Sequence, residues 1–584
     1  MNTIVNYLQG NAWLPCKLWW LPVLAGLWAL SAQGQQLDQL GKKQGVKISG
    51  GLGLNQSLYI ADGVEDRFNP YNYVVSGNVS MNLYGIMVPL SFTYSNRNFG
   101  YSQPFNIVGL SPSYKSLRLH AGYRTMSFSP YTLAGHNFLG GGLEWSHQGF
   151  KVAAMGGRLL RGVEYDSANV LARPGYERWG TGIMLGYGKG GDEITFTTFY
   201  AVDQANSIGP VPENLGLRPM ENQIYSLGFK KKLSEQLSVY FEGARSGLTR
   251  DIRDTSESQL SGLNKTAYFL SRYQNYNTEF SNAFKTGFNF SFKPFQLGLN
   301  FERVDPGYNS LGAYYVNSDF QNVTASLATK IYKDKLALSA SGGFQRDDIA
   351  NQKISRMKRF VGSLNLSMNL SKRFNASAMY SNFNNHINIK PVDQAFVQNT
   401  IYDRIDTLIF IQINQSVSAN INYIPLDNSR ISHRVSLGGN YNSAVSRNSG
   451  DRTQNAMSGG RIGYMVTWKE TGLNTGINAN SNTNFYAQGQ ASFYGLGLLL
   501  SKPVWKQKLR ISLNGNASNN YENGRLTAML YSVTNSYALR LGRHHALSMS
   551  LRYSGRQSKG PSELSFYKTT FNEFMGNLGY NFTF

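Results

Sequence analysis

The chain has 584 residues with 56 Lys or Arg against 34 Asp or Glu, a formal net charge of +22, yet charged residues make up only 15% and the mean hydropathy is −0.33. So few charges beside 60 Gly, 36 Tyr and 33 Phe speak against a large water-soluble protein and for a β-rich chain that faces lipid. The one cysteine, Cys16, leaves no disulfide framework and no thiolate metal site.

In chain order, Lys17 precedes the apolar run "LWWLPVLAGLWALSA", and the small residues Ala32 and Gly34 follow. This pattern predicts a signal peptide over 1–34, cleaved after Gly34; an uncleaved anchor is the competing reading. Cys16 precedes the apolar run and so is not placed as a lipoprotein acceptor. A short segment, 35–45, comes next, and from residue 46 onward the pattern has period two.

"FKTGFNFSF" sets Phe284, Phe288, Phe290 and Phe292 against Lys285, Asn289 and Ser291. "SLNLSMNLS" sets Leu364, Leu366, Met368 and Leu370 against Ser363, Asn365, Ser367 and Asn369. "SVSANINY" sets Val417, Ala419, Ile421 and Tyr423 against Ser416, Ser418, Asn420 and Asn422. "LRISLNGNAS" sets Leu509, Ile511 and Leu513 against Arg510, Ser512 and Asn514. The last strand, "NLGYNFTF", alternates to its final residue, with Tyr580, Phe582 and Phe584 on the apolar face. Strands greasy on one side and polar on the other, over this length, call for a closed sheet.

The connections choose among closed sheets. Tight turns such as "LYGI", "SHQGF", "GKGGD", "YKDK" and "GRHH" alternate with long polar segments at 96–104, 161–177, 203–221, 249–280, 305–319 and 385–406. Short then long is the rhythm of a transmembrane antiparallel up-and-down β-barrel, with short periplasmic turns and long extracellular loops. No repeat of propeller-blade length appears. The count comes to about 26 strands, within a range of about 22–28, and an even number puts both termini in the periplasm. The expected organisation is a cleaved signal peptide 1–34, a short periplasmic segment 35–45 and a barrel 46–584.

The terminal strand resembles the C-terminal assembly signal of bacterial outer-membrane β-barrels, carried by Tyr580, Phe582 and Phe584. The whole chain resembles large, poorly characterised outer-membrane barrels of the Bacteroidota. The resemblance implies an outer-membrane location, recognition by the barrel-assembly machinery, and a surround of outer-membrane lipid and lipopolysaccharide. Alternation begins at "VKISGGLGLNQSLY", which leaves no room for the plug of a TonB-dependent receptor or the added domains of an usher.

At about 4.8 Å between strands and a tilt of about 40°, 26 strands enclose a backbone diameter of about 50 Å, more than side chains fill. A loop or a partner protein must therefore block it. Leu260, Leu263, Ala267, Leu270 and Tyr273 recur at helical spacing within 249–280, which makes that loop the candidate plug. A solvated outer loop is the alternative.

The candidate lumen-lining residues are Arg118, His120, Arg124, Arg158, Lys285, Asn365, Asn369, Asn420, Asn422, Arg510 and Arg552. A positive lumen would favour anionic solutes, unless these cations pair with luminal acids such as Glu302. The turns are basic as well, Lys333 and Lys335 among them, which suits anionic headgroups or an acidic periplasmic partner.

No recognition motif supports nucleic acid as a partner. The seven histidines form no metal-binding or metalloprotease spacing, no nucleophile elbow or phosphate loop is present, and Asp62, Glu65 and Asp66 lack a calcium-loop pattern. No enzyme activity, metal or cofactor is expected. Three functional classes stand: a wide transport conduit or translocon-type channel closed by a partner or an inserted loop, a porin for passive diffusion of small solutes, anionic ones among them, and a non-transporting anchoring platform.

Overall fold

The computed structural model describes residues 45–64, 66, 68–96, 106–167, 173–256, 272–347, 349, 358–382, 385–386, 412–448, 451–487, 489–559 and 570–584. The expected signal peptide and nearly all of segment 35–45 lie outside them. The described chain is one antiparallel sheet of 28 strand segments between Lys47 and Thr583. Ile107–Leu110 and Ser113–Tyr114 share one crossing, and Phe374–Ser381 and Asn385–His386 share another, so the wall has 26 strands.

The sheet closes on itself. Lys47–Asp62 pairs with Phe571–Thr583 in register from Gly51 opposite Thr583 to Asp62 opposite Asn572. The last residue takes part: Phe584 N donates to Gly50 O at 3.0 Å, and Gly50 N donates to Phe584 O at 2.9 Å. Among the described residues closure leaves neither the first nor the last strand as a free edge, the condition for a sheet in lipid. No helix among the described residues is long and apolar enough to cross a membrane, which leaves strands as the spanning elements.

One rim carries the tight turns and the other the long loops. Tyr84 and Gly85, with φ of 53° and 96°, have the two positive values that let a two-residue turn follow the twist of its strands. The outward face is the apolar one. In Gly489–Val504 the exposed set is Tyr494, Leu496, Leu498 and Leu500, with Leu496 at 62% exposure. Aromatic rings bound this belt on both sides. Near the turns lie Phe150 with Tyr187, Phe292 with Phe295, and Phe582 with Phe584; near the loops lie Tyr71, Tyr73 and Tyr94, Tyr494 with Tyr521, and Tyr531 with Tyr553.

Candidate functional site: the lumen and its inward loops

Strand alternation fixes which side chains enter the lumen. Arg118, His120 and Arg124 stand opposite Glu144, Gly142 and Phe138, away from the exposed Leu117 and Leu119. Glu144 serves two of them: Arg118 Nη1 lies 3.5 Å from Oε2, and His120 Nε2 lies 3.3 Å from Oε1. Ser111 Oγ lies 2.9 Å from His120 Nδ1. Serine, histidine and carboxylate thus form a line, but Ser111 N already donates to Pro89 O at 3.0 Å and Arg118 competes for Glu144. The line therefore pins the wall and supplies no free backbone donor of its own for an oxyanion. Arg124 Nη1 donates to Ser91 Oγ at 2.7 Å.

Asn365 and Asn369 face away from Leu364, Leu366 and Leu370, and Asn420 and Asn422 away from Val417, Ile421 and Tyr423. Asn375 joins the two pairs, since it donates to Asn369 and stands opposite Asn422. Arg510 lies opposite Pro503 and Ala538, and Arg552 opposite Thr534 and Met575, both on the polar face. The wall from residue 358 to 584 is in this way lined largely by amides and hydroxyls.

Arg158 is a correction. Its strand, Phe150–Leu160, buries Ala153, Met155, Gly157 and Leu159 on the inner side, so alternation sends Arg158 outward, opposite Leu139 and Trp179. There its Nη1 lies 3.2 Å from Glu177 Oε2, and Trp179 Nε1 donates to the other oxygen at 2.7 Å. On this stretch the lumen side is the apolar one, so the rule that charge points inward fails at Arg158. A luminal cation that the sequence reading missed is Arg178, held by Asp203 at 2.7 and 3.0 Å.

The reason is two loops that fold onto the inner wall. Met126, Leu133, Phe138, Met155, Leu159, Phe199, Ile224, Leu248, Val304, Tyr308 and Leu311 make one buried cluster, with Tyr308 2% and Leu311 3% exposed. The loop 305–319 supplies Tyr308 and Leu311, and the connection 128–133 supplies Tyr131 and Leu133. Hydrogen bonds stitch them to the wall and to each other. Ser246 Oγ donates to Asn309 O at 2.8 Å, Leu311 N to Asn222 Oδ1 at 3.1 Å, and Ala134 N to Gly312 O at 3.0 Å. Tyr308 OH donates to Tyr131 O at 2.7 Å, and Ser310 Oγ to Thr132 O at 2.5 Å. Space for the rings comes from glycine: a Cβ on Gly182 would stand 2.8 Å from Phe128, and one on Gly312 2.6 Å from Phe199.

A polar group lies under the first loop. Lys285 Nζ is 3.0 Å from Glu242 Oε2, Ser129 Oγ donates to Oε1 of the same carboxylate, and Tyr131 OH donates to Glu302 Oε1 at 2.7 Å. Lys285 therefore pairs with Glu242, while Glu302 is taken by the tyrosine. Burial, and then Glu302 beside it, pushes the Tyr131 hydroxyl above its ordinary range; burial, and then Glu242, does the same to Tyr308.

These contacts also constrain the wall. Across the strands the register runs from Val304 through Ala283, Ala244, Ser226, Thr197, Met184 and Ala153 to Glu144, ten residues along the strand from Ala134. Seven strand spacings with that offset make a wall arc of about 45 Å at the loop rim. The chain from Asp305 to Ala313 spans at most about 28 Å. On a circular 26-strand barrel the same arc has a chord of about 39 Å. The strand end at Ala134 and the wall at Val304 are thus held closer together than on a regular circular wall.

Of the expected plug, Leu260, Leu263, Ala267 and Leu270 lie outside the described residues. Tyr273 is described: its N and that of Arg272 donate to the buried Glu221 at 2.9 and 3.0 Å. Glu221 stands opposite Val202, on the outward side of the wall, so the returning end of this loop is fastened to the rim. No group of three or more His, Cys, Asp or Glu able to hold a metal occurs among the described residues.

Fold and surface together define a class: a large closed antiparallel barrel, apolar outside and largely polar inside. No protein-family model matches the chain, and no curated protein matches it in sequence. Among solved structures it is similar to the P pilus usher (PapC) translocation pore, at 10% identity over 91% of this chain and 98% of that one, TM-score 0.36. It is similar also to the FrpB iron transporter from Neisseria meningitidis (10%, 94% and 82%, TM-score 0.36) and the anion-selective porin from Comamonas acidovorans (11%, 62% and 100%, TM-score 0.27). These likenesses go no further than the barrel architecture, which the strand pairing establishes by itself.

Proposed function

We propose that the chain is an integral outer-membrane barrel, with its turn rim and both termini periplasmic, and that it acts as a wide transport conduit or translocon-type channel. The observation that carries this reading is the closed 26-strand wall, apolar outside and lined with amides and hydroxyls inside. So wide a lumen must be closed in the resting state, by a partner protein or by a loop. Tyr580, Phe582 and Phe584 serve as the assembly signal, and outer-membrane lipid and lipopolysaccharide form the surround. The inward loops 128–133 and 305–319 favour a second reading, a porin that narrows itself, in which Arg118, Arg124 and Arg510 set a preference for anions.

Planar-bilayer recording of the purified protein separates these readings. A partner-closed conduit gives large, steady currents of about several nanosiemens. A loop-closed conduit is quiet and opens when 256–274 is deleted. A small, anion-selective conductance indifferent to that deletion makes the protein a porin and overturns the conduit. Silence with and without the loop overturns both and leaves an anchoring platform.

A further inference from the structure

Three arginines stand on the lipid-facing side of the same sector, at the loop edge of the apolar belt. Arg346 lies opposite Gln321, Gln321 opposite Arg303, and Arg303 opposite Phe284; Arg245 lies opposite Asn282, two residues further toward the loops. All share the outward face, since their alternates Ala244, Ala283 and Val304 lie in the inner cluster and Val323 and Phe344 are exposed. With one strand between neighbours, their Cβ atoms are about 10–12 Å apart, so the guanidinium groups can converge on one headgroup. Neutral amides orient two of them: Arg245 Nη1 donates to Asn282 Oδ1 at 3.0 Å, and Arg346 Nη2 to Gln321 Oε1 at 2.9 Å. Asp305, 3.2 Å from Arg303 Nε, offsets one charge of the three. Beside and below the row run phenylalanines, Phe284 against Phe301 at 5.6 Å and Phe344 against Phe360 at 5.8 Å, while on the loop side the Arg245 guanidinium stacks over Phe280.

We propose that this row is a binding site for a phosphate-bearing lipid of the outer leaflet, with guanidinium groups on the phosphate and acyl chains along the phenylalanines. The inference rests on the membrane reading above and adds a ligand class and residues to it. Arginine suits the task because its planar fork meets phosphate oxygens in pairs and it stays charged at the interface. A soluble anion would have no use for the apolar surface that continues from the row.

The test uses the full barrel, purified in detergent and offered bisphosphorylated lipid A or its dephosphorylated counterpart, with retained lipid counted by native mass spectrometry. Wild type should retain the phosphorylated lipid through detergent washing. The variant R245Q/R303Q/R346Q should lose about tenfold or more of that occupancy, and the corresponding lysine variant should recover part of it. Excess inorganic phosphate should not displace the lipid. Equal retention of the two lipids, equal retention by the glutamine variant, or displacement by phosphate would each overturn the proposal. If the triple variant does not fold, Arg346→Gln alone carries the test, since that side chain is exposed. Failure of the membrane reading shows separately, as absence of a heat-modifiable, folded band for wild type.

Discussion

Leu311→Ala probes the latch that holds loop 305–319 against the wall. Leu311 is 3% exposed and packs in the inner cluster, so truncation to alanine costs about 2–5 kcal/mol. The strands do not depend on Leu311, so the cost falls on the local equilibrium between seated and lifted loop. At about 1.4 kcal/mol per tenfold, the lifted population should rise about 30-fold to 3,000-fold. Ser246 is a suitable reporter, fully buried and donating to Asn309 O of the loop. In a background with Cys16 replaced, Ser246→Cys should react with a bulky maleimide only when the loop lifts. Adding Leu311→Ala should raise the labelling rate by the factor above, up to the rate of a fully exposed thiol. Leu496→Ala, on the lipid side, should leave it unchanged. A rate within about threefold of the parent, in a barrel that is still folded, would show that Leu311 packing does not hold the loop.

Two further outcomes concern the loop contacts and the turn-side rim in turn. The raised hydroxyls of Tyr131 and Tyr308 contribute stability that is complete below the ordinary tyrosine value of about 10 and is lost as pH rises past it. Conductance should therefore be flat from neutral pH to about 9 and rise reversibly above about 10, less steeply in Tyr131→Phe; an unchanged alkaline response in that variant would remove Tyr131 from the latch. Phe584→Asp places a charge in the turn-side aromatic ring beside Phe582 and should cut the yield of folded, heat-modifiable barrel in the outer membrane severalfold, whereas wild-type yield would show that the terminal ring is dispensable.

The wall was legible because its code is one-dimensional. Leu364, Leu366 and Met368 against Ser363, Asn365 and Ser367 need only period two to assign their faces, and the pairing of this strand with Leu336–Asp347 keeps that assignment. Partner choice was not legible, because it depends on registry across strands: Lys285 stands opposite both Glu242 and Glu302, and the hydroxyl of Tyr131, far away in sequence, together with Asn322, takes Glu302 while the lysine pairs with Glu242. Arg158 failed for a related reason. The rule that charge faces the lumen holds where the lumen is wet or a counter-charge is at hand, and opposite Ala153, Met155 and Leu159 it is packed.

The inward loops carried a signal that periodicity does not weigh. In "DPGYNSLGAYY" the large apolar side chains are spaced by Gly, Ser and Asn, which suits a loop laid on a surface and neither a helix nor a strand. Helical spacing drew attention to 249–280, where the described end is fastened outside by Glu221, while the unperiodic 305–319 covers the inner wall. A barrel with one sector packed against its own loops and the remaining wall lined largely with asparagine and serine has two mechanically different parts. Loop lifting, conduction and lipid attachment then need not be independent. Val304 packs against the loops on the inside while its neighbour Arg303 stands in the arginine row outside, so one strand, Phe295–Val304, carries both the latch and the proposed lipid site.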